Sequence, residues 1–200
     1  MNSRSAPYLR TDEREEAIRS LEFAEAQARA LAADPYLWKW VIVALHSAAQ
    51  GFMVLALWNG NGLLAMRPRV AKKWLEAYER GGAFPNEKLD DFLALYAKVK
   101  DPLNFYTVGA SAFMPAESSD ESFLMLNEVR NTFTHFTPKG WSLQVAGLPR
   151  MCLDTLQLIR FVGWESTAIL WHRRVHLVRA KRALGRLRRT LLALEVAHGV

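Results

Sequence analysis

The chain has 200 residues, half of them hydrophobic, a formal net charge of +6 and one cysteine. That length buries a core and suits one compact unit with a helical extension. Cys152 alone excludes an internal disulfide and a thiolate zinc site, and the polar, basic stretch 1–10 does not read as a secretory signal, so a reducing, cytoplasmic setting is expected.

Residues 12–33 are rich in Glu, Ala, Arg and Leu, with Asp12 and Glu15 at capping-box spacing, and predict a first helix. Asp34-Pro35 breaks it, and a second helix is expected over 36–58, forming a hairpin with the first. The uncharged run 40–66 approaches the length of a membrane span in its first part. Polar His46, Ser47 and Gln50 lie within it and Asn59-Gly60-Asn61-Gly62 closes it like a turn, so a buried core helix is preferred to stable membrane insertion.

Two shorter stretches, 70–80 and 87–100, end at Gly81-Gly82 and Asp101-Pro102 and are expected as an inserted helical pair, within an insertion over about 60–116. Residues 103–116 have no period and are expected as a long loop. Ser118 and Glu121 suggest another capping box, starting a helix that carries Phe123, Leu126, Val129 and Phe133 on one stripe to about His135. Thr137-Pro138-Lys139-Gly140 stops it. A further helix is expected over 148–164, and helical pattern resumes at Thr167. No strand pattern is present, so the fold expected is all-α, with a bundle over 1–170 and a C-terminal helix over 171–200.

The charge is uneven. Residues 171–200 carry +7 and leave about −1 for the first 170. Leu170, Leu177, Ala180, Leu184, Leu187, Leu191 and Leu194 make a heptad-like seam, with Arg173 in the slot between the first two, so one face of this last helix is expected to seek a partner helix while the other offers charge. Arg179, Arg182, Arg186 and Arg189 are therefore candidate nucleic-acid contacts, with a solvated face as the plainer alternative. Lys139 and Arg150 flank the preceding helix and are candidates for the same role.

The segment Arg130-Asn131-Thr132-Phe133-Thr134-His135 carries the chemistry. On a helix, Asn127, Asn131 and His135 form a polar row beside the core stripe, with Arg130 and His135 about 7.5 Å apart along the axis. RNA supplies its own nucleophile, the 2′-hydroxyl. Cleavage then needs a proton donor or acceptor and a fixed positive charge at phosphorus, for which imidazole and guanidinium are suited. Asn131 is placed to orient either group.

This segment resembles the HEPN signature, an Arg, a polar residue, three further residues and a His late on a helix of an up-and-down four-helix bundle. The resemblance implies a homodimer with two facing motifs, cleaving RNA without metal to leave 2′,3′-cyclic phosphate and 5′-hydroxyl ends. It makes Arg130 and His135 the catalytic pair with Asn131 in support. It also implies a bacterial toxin–antitoxin or antiphage setting and an antitoxin or other regulatory protein as partner. Some family members bind without cutting.

Other features receive plainer readings. His46 and Gln50, four apart on the second helix, are expected as a satisfied core pair or an interface contact before a substrate contact. His172 and His176 have metal-compatible spacing, but Arg173 and Arg174 between them disfavour a cation. Trp38, Trp40, Phe52 and Trp58 read as core and dimer interface. No Gly-rich phosphate loop, nucleophile elbow or zinc signature is present, so no cofactor is expected. Two further readings compete: a non-catalytic module whose basic helix holds nucleic acid or an acidic protein, and a C-terminal helix lying on a membrane surface.

Overall fold

The computed structural model describes residues 8–58, 60–105, 109–135 and 140–197. Among them are seven α-helices and no β-strand: α1 Glu13–Ala28, α2 Trp38–Ala56, α3 Pro68–Arg80, α4 Phe92–Lys100, α5 Ser119–Thr134, α6 Leu148–Arg160 and α7 Arg174–Ala197. The chain is therefore all-α, as its periodicity predicts.

Helix α1 starts where Asp12 accepts a hydrogen bond from the Glu15 N–H at 2.8 Å. Asp34 likewise caps the 3₁₀ turn that leads into α2, with Pro35 at its first position. The two helices run antiparallel, since Gly51, late on α2, meets Ala17, early on α1. They approach so closely that a Cβ on Gly51 would stand 2.7 Å from Ala17 Cβ. Only glycine permits that approach without a backbone shift.

Helix α2 is the centre of the core. Val41, Ile42, Leu45, Ala48, Ala49, Phe52 and Met53 are all inaccessible to solvent, and the helix packs on α1, α4, α5 and α6. With the turn before it, α2 is long and apolar enough to cross a membrane by length and composition, but 61% of that window is buried by the rest of the chain. This is the burial expected of a core helix. Cys152 on α6 is also fully buried, and burial pushes its thiol well above the ordinary cysteine range.

Three segments depart from the sequence expectation. The stretch expected to be helical from 87 becomes so only at Phe92, because residues 87–91 lie extended along the turn before α3, where Arg67 N–H bonds Lys88 C=O and Asp90 N–H bonds Ala65 C=O. The two inserted helices are also unequal. Helix α3 buries no residue, whereas α4 sends Phe92, Leu95, Tyr96 and Val99 into the core. Ser118 forms no capping box either. It is αR, with no bond to the helix N–H groups, and its hydroxyl instead donates to the buried carboxylate of Asp154 at 3.0 Å.

The third departure lies between α6 and α7. After Arg160 the helix widens into a π turn over Phe161–Glu165, Thr167 takes a left-handed conformation at φ 57°, and Trp171 Nε1 donates to Gly163 C=O at 2.6 Å. The helix expected from 167 thus begins at Arg174. The irregular link turns α7 back onto the bundle, where Ala180, Ala183, Leu184, Leu187 and Leu191 are buried against α1 and α6. The apolar seam has found its partner helices inside the same chain.

This docking corrects the reading of the basic face. Arg179 donates to Glu22 at 2.8 and 2.7 Å and to Glu15 at 3.1 and 2.8 Å. Those bonds hold the Glu15 carboxyl down to about 2 and Glu22 below its ordinary range, and raise the Arg179 guanidinium further. Arg186 reaches Glu25 at 3.3 Å. Arg179 is thus a clamp between α7 and α1, not a free phosphate ligand, and Arg186 is partly engaged in the same way. Arg179→Met is expected to lower unfolding free energy by about 1–2 kcal/mol, whereas the exposed Arg189→Met should change it by less than about 0.5 kcal/mol. Urea midpoints measure both, and equal effects would contradict the clamp.

Candidate functional site

On α5, Phe123, Leu126 and Val129 face the core, which leaves Asn127, Arg130 and Asn131 on the flank where α5 passes α2 and α4. Helix α2 brings His46 there, with Ile42, Leu45 and Ala49 on its buried side. Helix α4 contributes its first turn, fixed by Asp91, whose side chain accepts from Ala94 N–H at 3.0 Å.

Aromatic rings hold this junction. His46 stacks on Phe92 at 3.9 Å with planes 22° apart. Phe92 lies 5.9 Å from Phe123, and Phe123 stacks on Tyr96 at 4.0 Å. The Tyr96 hydroxyl donates to Asp120 at 2.7 Å. The imidazole therefore rests on a stack of three rings tied at its far end to the first turn of α5.

His46 is 2% exposed, and its Nε2 lies 3.2 Å from Asn127 Oδ1. Bonding to that oxygen makes Nε2 the protonated nitrogen and leaves Nδ1 as an acceptor. Nδ1 is buried and has no hydrogen-bond partner among the described residues. Burial, opposed by the Asn127 bond and reinforced by the Arg130 charge, brings the His46 pKa down to about 4.

Arg130 is half-buried. Its Nη1 donates to Asn131 Oδ1 at 2.8 Å, and its Nε is buried without a partner among the described residues. No carboxylate forms an ion pair with it among the described residues, whereas Arg19, Arg29, Arg150, Arg160, Arg179 and Arg186 all have one. A half-buried guanidinium without a counter-charge favours the approach of an anion.

His135 ends α5. It is exposed, and its backbone N–H bonds Asn131 C=O at 2.8 Å. Two neighbouring clefts share Leu93, Asn127 and Asn131 as a common wall. One, of about 300 Å³, is lined also by His46, Gln50, Asp91 and Arg130. The other, of about 690 Å³ and more open, is lined also by Glu128 and His135. Asn127 and Asn131 of the polar row thus form the ridge between the clefts, with Arg130 on one side and the row's third member, His135, on the other. Asn131 steadies the guanidinium, not the imidazole.

The His46–Gln50 pair departs from the expectation of a satisfied core pair: one ring nitrogen is unpartnered, and both residues line the Arg130 cleft. Position 46 lies on an apolar helix 81 residues from Asn127 in sequence, so only the tertiary packing brings it to the site. Comparisons with family models, curated proteins and solved structures find no match.

The other sequence candidates lie apart from these clefts. Arg150 pairs with Asp154 at 3.3 Å and reaches Ser118, which makes it a strut between α6 and α5. Lys139 lies outside the described residues. Arg182 and Arg189 are exposed on α7. His176 sits 3.9 Å from Glu15, beside the Arg179 clamp. Trp38 and Phe52 are core residues, while Trp40 and Trp58 are 46% and 40% exposed. Trp40 lines a largely apolar groove of about 470 Å³ with Tyr36, Phe133 and Trp141, and Thr132 joins that groove to the His135 cleft.

Proposed function

We propose that this chain is a metal-independent endoribonuclease of the HEPN type, working in the cytoplasm as a homodimer in a toxin–antitoxin or antiphage role. The observation that carries the reading is Arg130, a half-buried guanidinium with no counter-charge among the described residues, fixed by Asn131 at the end of the helix that exposes His135.

In this reading the scissile phosphate takes the place of the missing counter-charge. Arg130 binds non-bridging oxygens as charge builds on them in the five-coordinate transition state. His135, exposed at the helix end, delivers a proton to the departing 5′-oxygen. Asn131 keeps the guanidinium plane aimed, which reduces reorganisation at the moment of reaction. The second copy brings its own motif to the cleft, and the apolar groove at Trp40 and Trp141 supplies surface for that contact.

The test is incubation of the purified protein with structured and unstructured RNAs in EDTA. Cleavage is expected from the unmodified chain and is expected to disappear in Arg130→Ala and His135→Ala, with circular dichroism and oligomeric state unchanged. Full activity in both variants would reject the reading. A second reading has its own observation, the exposed Arg182, Arg188 and Arg189 on α7. If the chain only binds nucleic acid, affinity will fall steeply with salt and follow these residues instead of Arg130, without cleavage.

A further inference from the structure

We propose that the cleft between α2, α4 and α5 is a ribose subsite in which His46 Nδ1 accepts the proton of the RNA 2′-hydroxyl. The proposal rests on the ribonuclease reading and adds to it a residue outside the Arg130–His135 motif.

Two residues that line this one cleft each carry a buried polar atom with no partner among the described residues: His46 its Nδ1 and Arg130 its Nε–H. With Nε2 committed to Asn127, the first is an acceptor and the second a donor. Buried orphans of this kind are uncommon and costly, so a pair of opposite sense on one cleft points to a ligand group that satisfies both. A hydroxyl does so, because it donates to nitrogen and accepts from N–H through one oxygen. A carboxylate or phosphate oxygen has no proton to offer His46.

The cleft, of about 300 Å³, has room for a sugar beside its phosphate. Gln50 and Asn127 add amides for the remaining sugar oxygens, and the Phe92 stack prevents the imidazole from turning away. Burial keeps His46 neutral at physiological pH, so its lone pair is available before substrate arrives.

As the 2′-oxygen bonds to phosphorus, its proton passes to His46 Nδ1 and Arg130 Nε–H steadies the developing alkoxide. The P–O5′ bond breaks, and His135 gives a proton to the leaving oxygen. The cyclic phosphate ester and a free 5′-hydroxyl result, with one proton taken up and one released.

The experiment has two arms. In the first, His135→Ala protein binds an RNA oligonucleotide and the DNA of the same sequence. RNA is expected to bind about tenfold more tightly, and His46→Leu in the same background is expected to remove the preference. In the second, His46→Gln in the otherwise native chain keeps an amide donor toward Asn127 but cannot take up a proton. Its cleavage rate is expected to fall about a hundredfold or more, with RNA binding held within about threefold.

Equal binding of RNA and DNA by the His135→Ala protein would overturn the proposal, whether or not the position-46 variants fold. So would His46→Gln cleaving within threefold of the native rate. If Arg130→Ala abolishes cleavage while His46→Gln leaves it intact, this proposal fails alone. If the native chain never cleaves, the ribonuclease reading fails and takes this one with it.

Discussion

Arg130→Lys is expected to lose RNA cleavage by about 10²–10³ in kcat/KM, nearly as much as Arg130→Ala, although the charge is kept. Lysine offers a compact charge on a flexible stem in place of a planar fork. It has no second nitrogen with which to bond Asn131 Oδ1 while also holding phosphate, so the fixed aim seen at 2.8 Å is lost. The same substitution should leave thermal stability almost unchanged, because Arg130 makes no ion pair among the described residues and its Nε is already buried without a partner. Arg130→Met removes that orphan donor and is expected to raise Tm slightly. A large fall in Tm in either variant would show instead that Arg130 holds the fold together.

Acid should destabilise the chain in a window set by His46. Its pKa falls from 6.5 in the unfolded chain to about 4 in the folded one, so between these values the unfolded state binds the extra proton and stability rises with pH. Conversely, stability falls as pH drops through about 6.5, and the loss is complete near pH 4, at up to about 3 kcal/mol. Two charged groups line the same cleft, Arg130 on α5 and Asp91 before α4. Of the two, Arg130 acts on His46, in the same direction as burial.

The Glu15 carboxylate, held down to about 2 by Arg179, contributes stability that is lost only below about pH 4.5, so the two effects separate. Urea midpoints at pH 7, 5.5 and 4 for the native chain and His46→Gln measure the His46 contribution. The native curve should fall more steeply between pH 6.5 and 4. Parallel curves would mean that His46 takes up its proton as readily in the folded chain as in the unfolded one.

Much of the helical framework was legible because its signals are local. Asp12 caps, Asp34-Pro35 breaks α1 from α2, Pro149 begins a helix, and the Phe123, Leu126 and Val129 stripe marks the buried side of α5. The seam on α7 was equally visible, but apolar spacing shows that a face will be covered without showing by what. The missing signal was on α1, where Glu15 and Glu22 are seven residues apart, as Arg179 and Arg186 are, with Glu25 three residues further along the same face. That match of acidic and basic rows would have placed α7 on α1.

The site was half legible for a similar reason. Arg130, Asn131 and His135 lie within six residues, so their spacing announces them, whereas His46 reaches Asn127 only because α2 and α5 pack together. The Ser118 capping box failed because a buried carboxylate, Asp154, takes the bonds of both Ser118 and Ser122, and a buried charge makes a stronger claim on a hydroxyl than a helix terminus near solvent does. The break before α7 depends on a π turn and on the Trp171 bond to Gly163, neither of which has a short-range signature.

The most direct measurement is of the ends left on RNA cut by the native chain in EDTA. If Arg130 and His135 promote attack by the 2′-hydroxyl, every new 5′ end will be a free hydroxyl that polynucleotide kinase labels without prior phosphatase treatment, and every new 3′ end a cyclic phosphate. New ends carrying 5′-phosphate and 3′-hydroxyl, or no cutting at all under these conditions, would contradict the account.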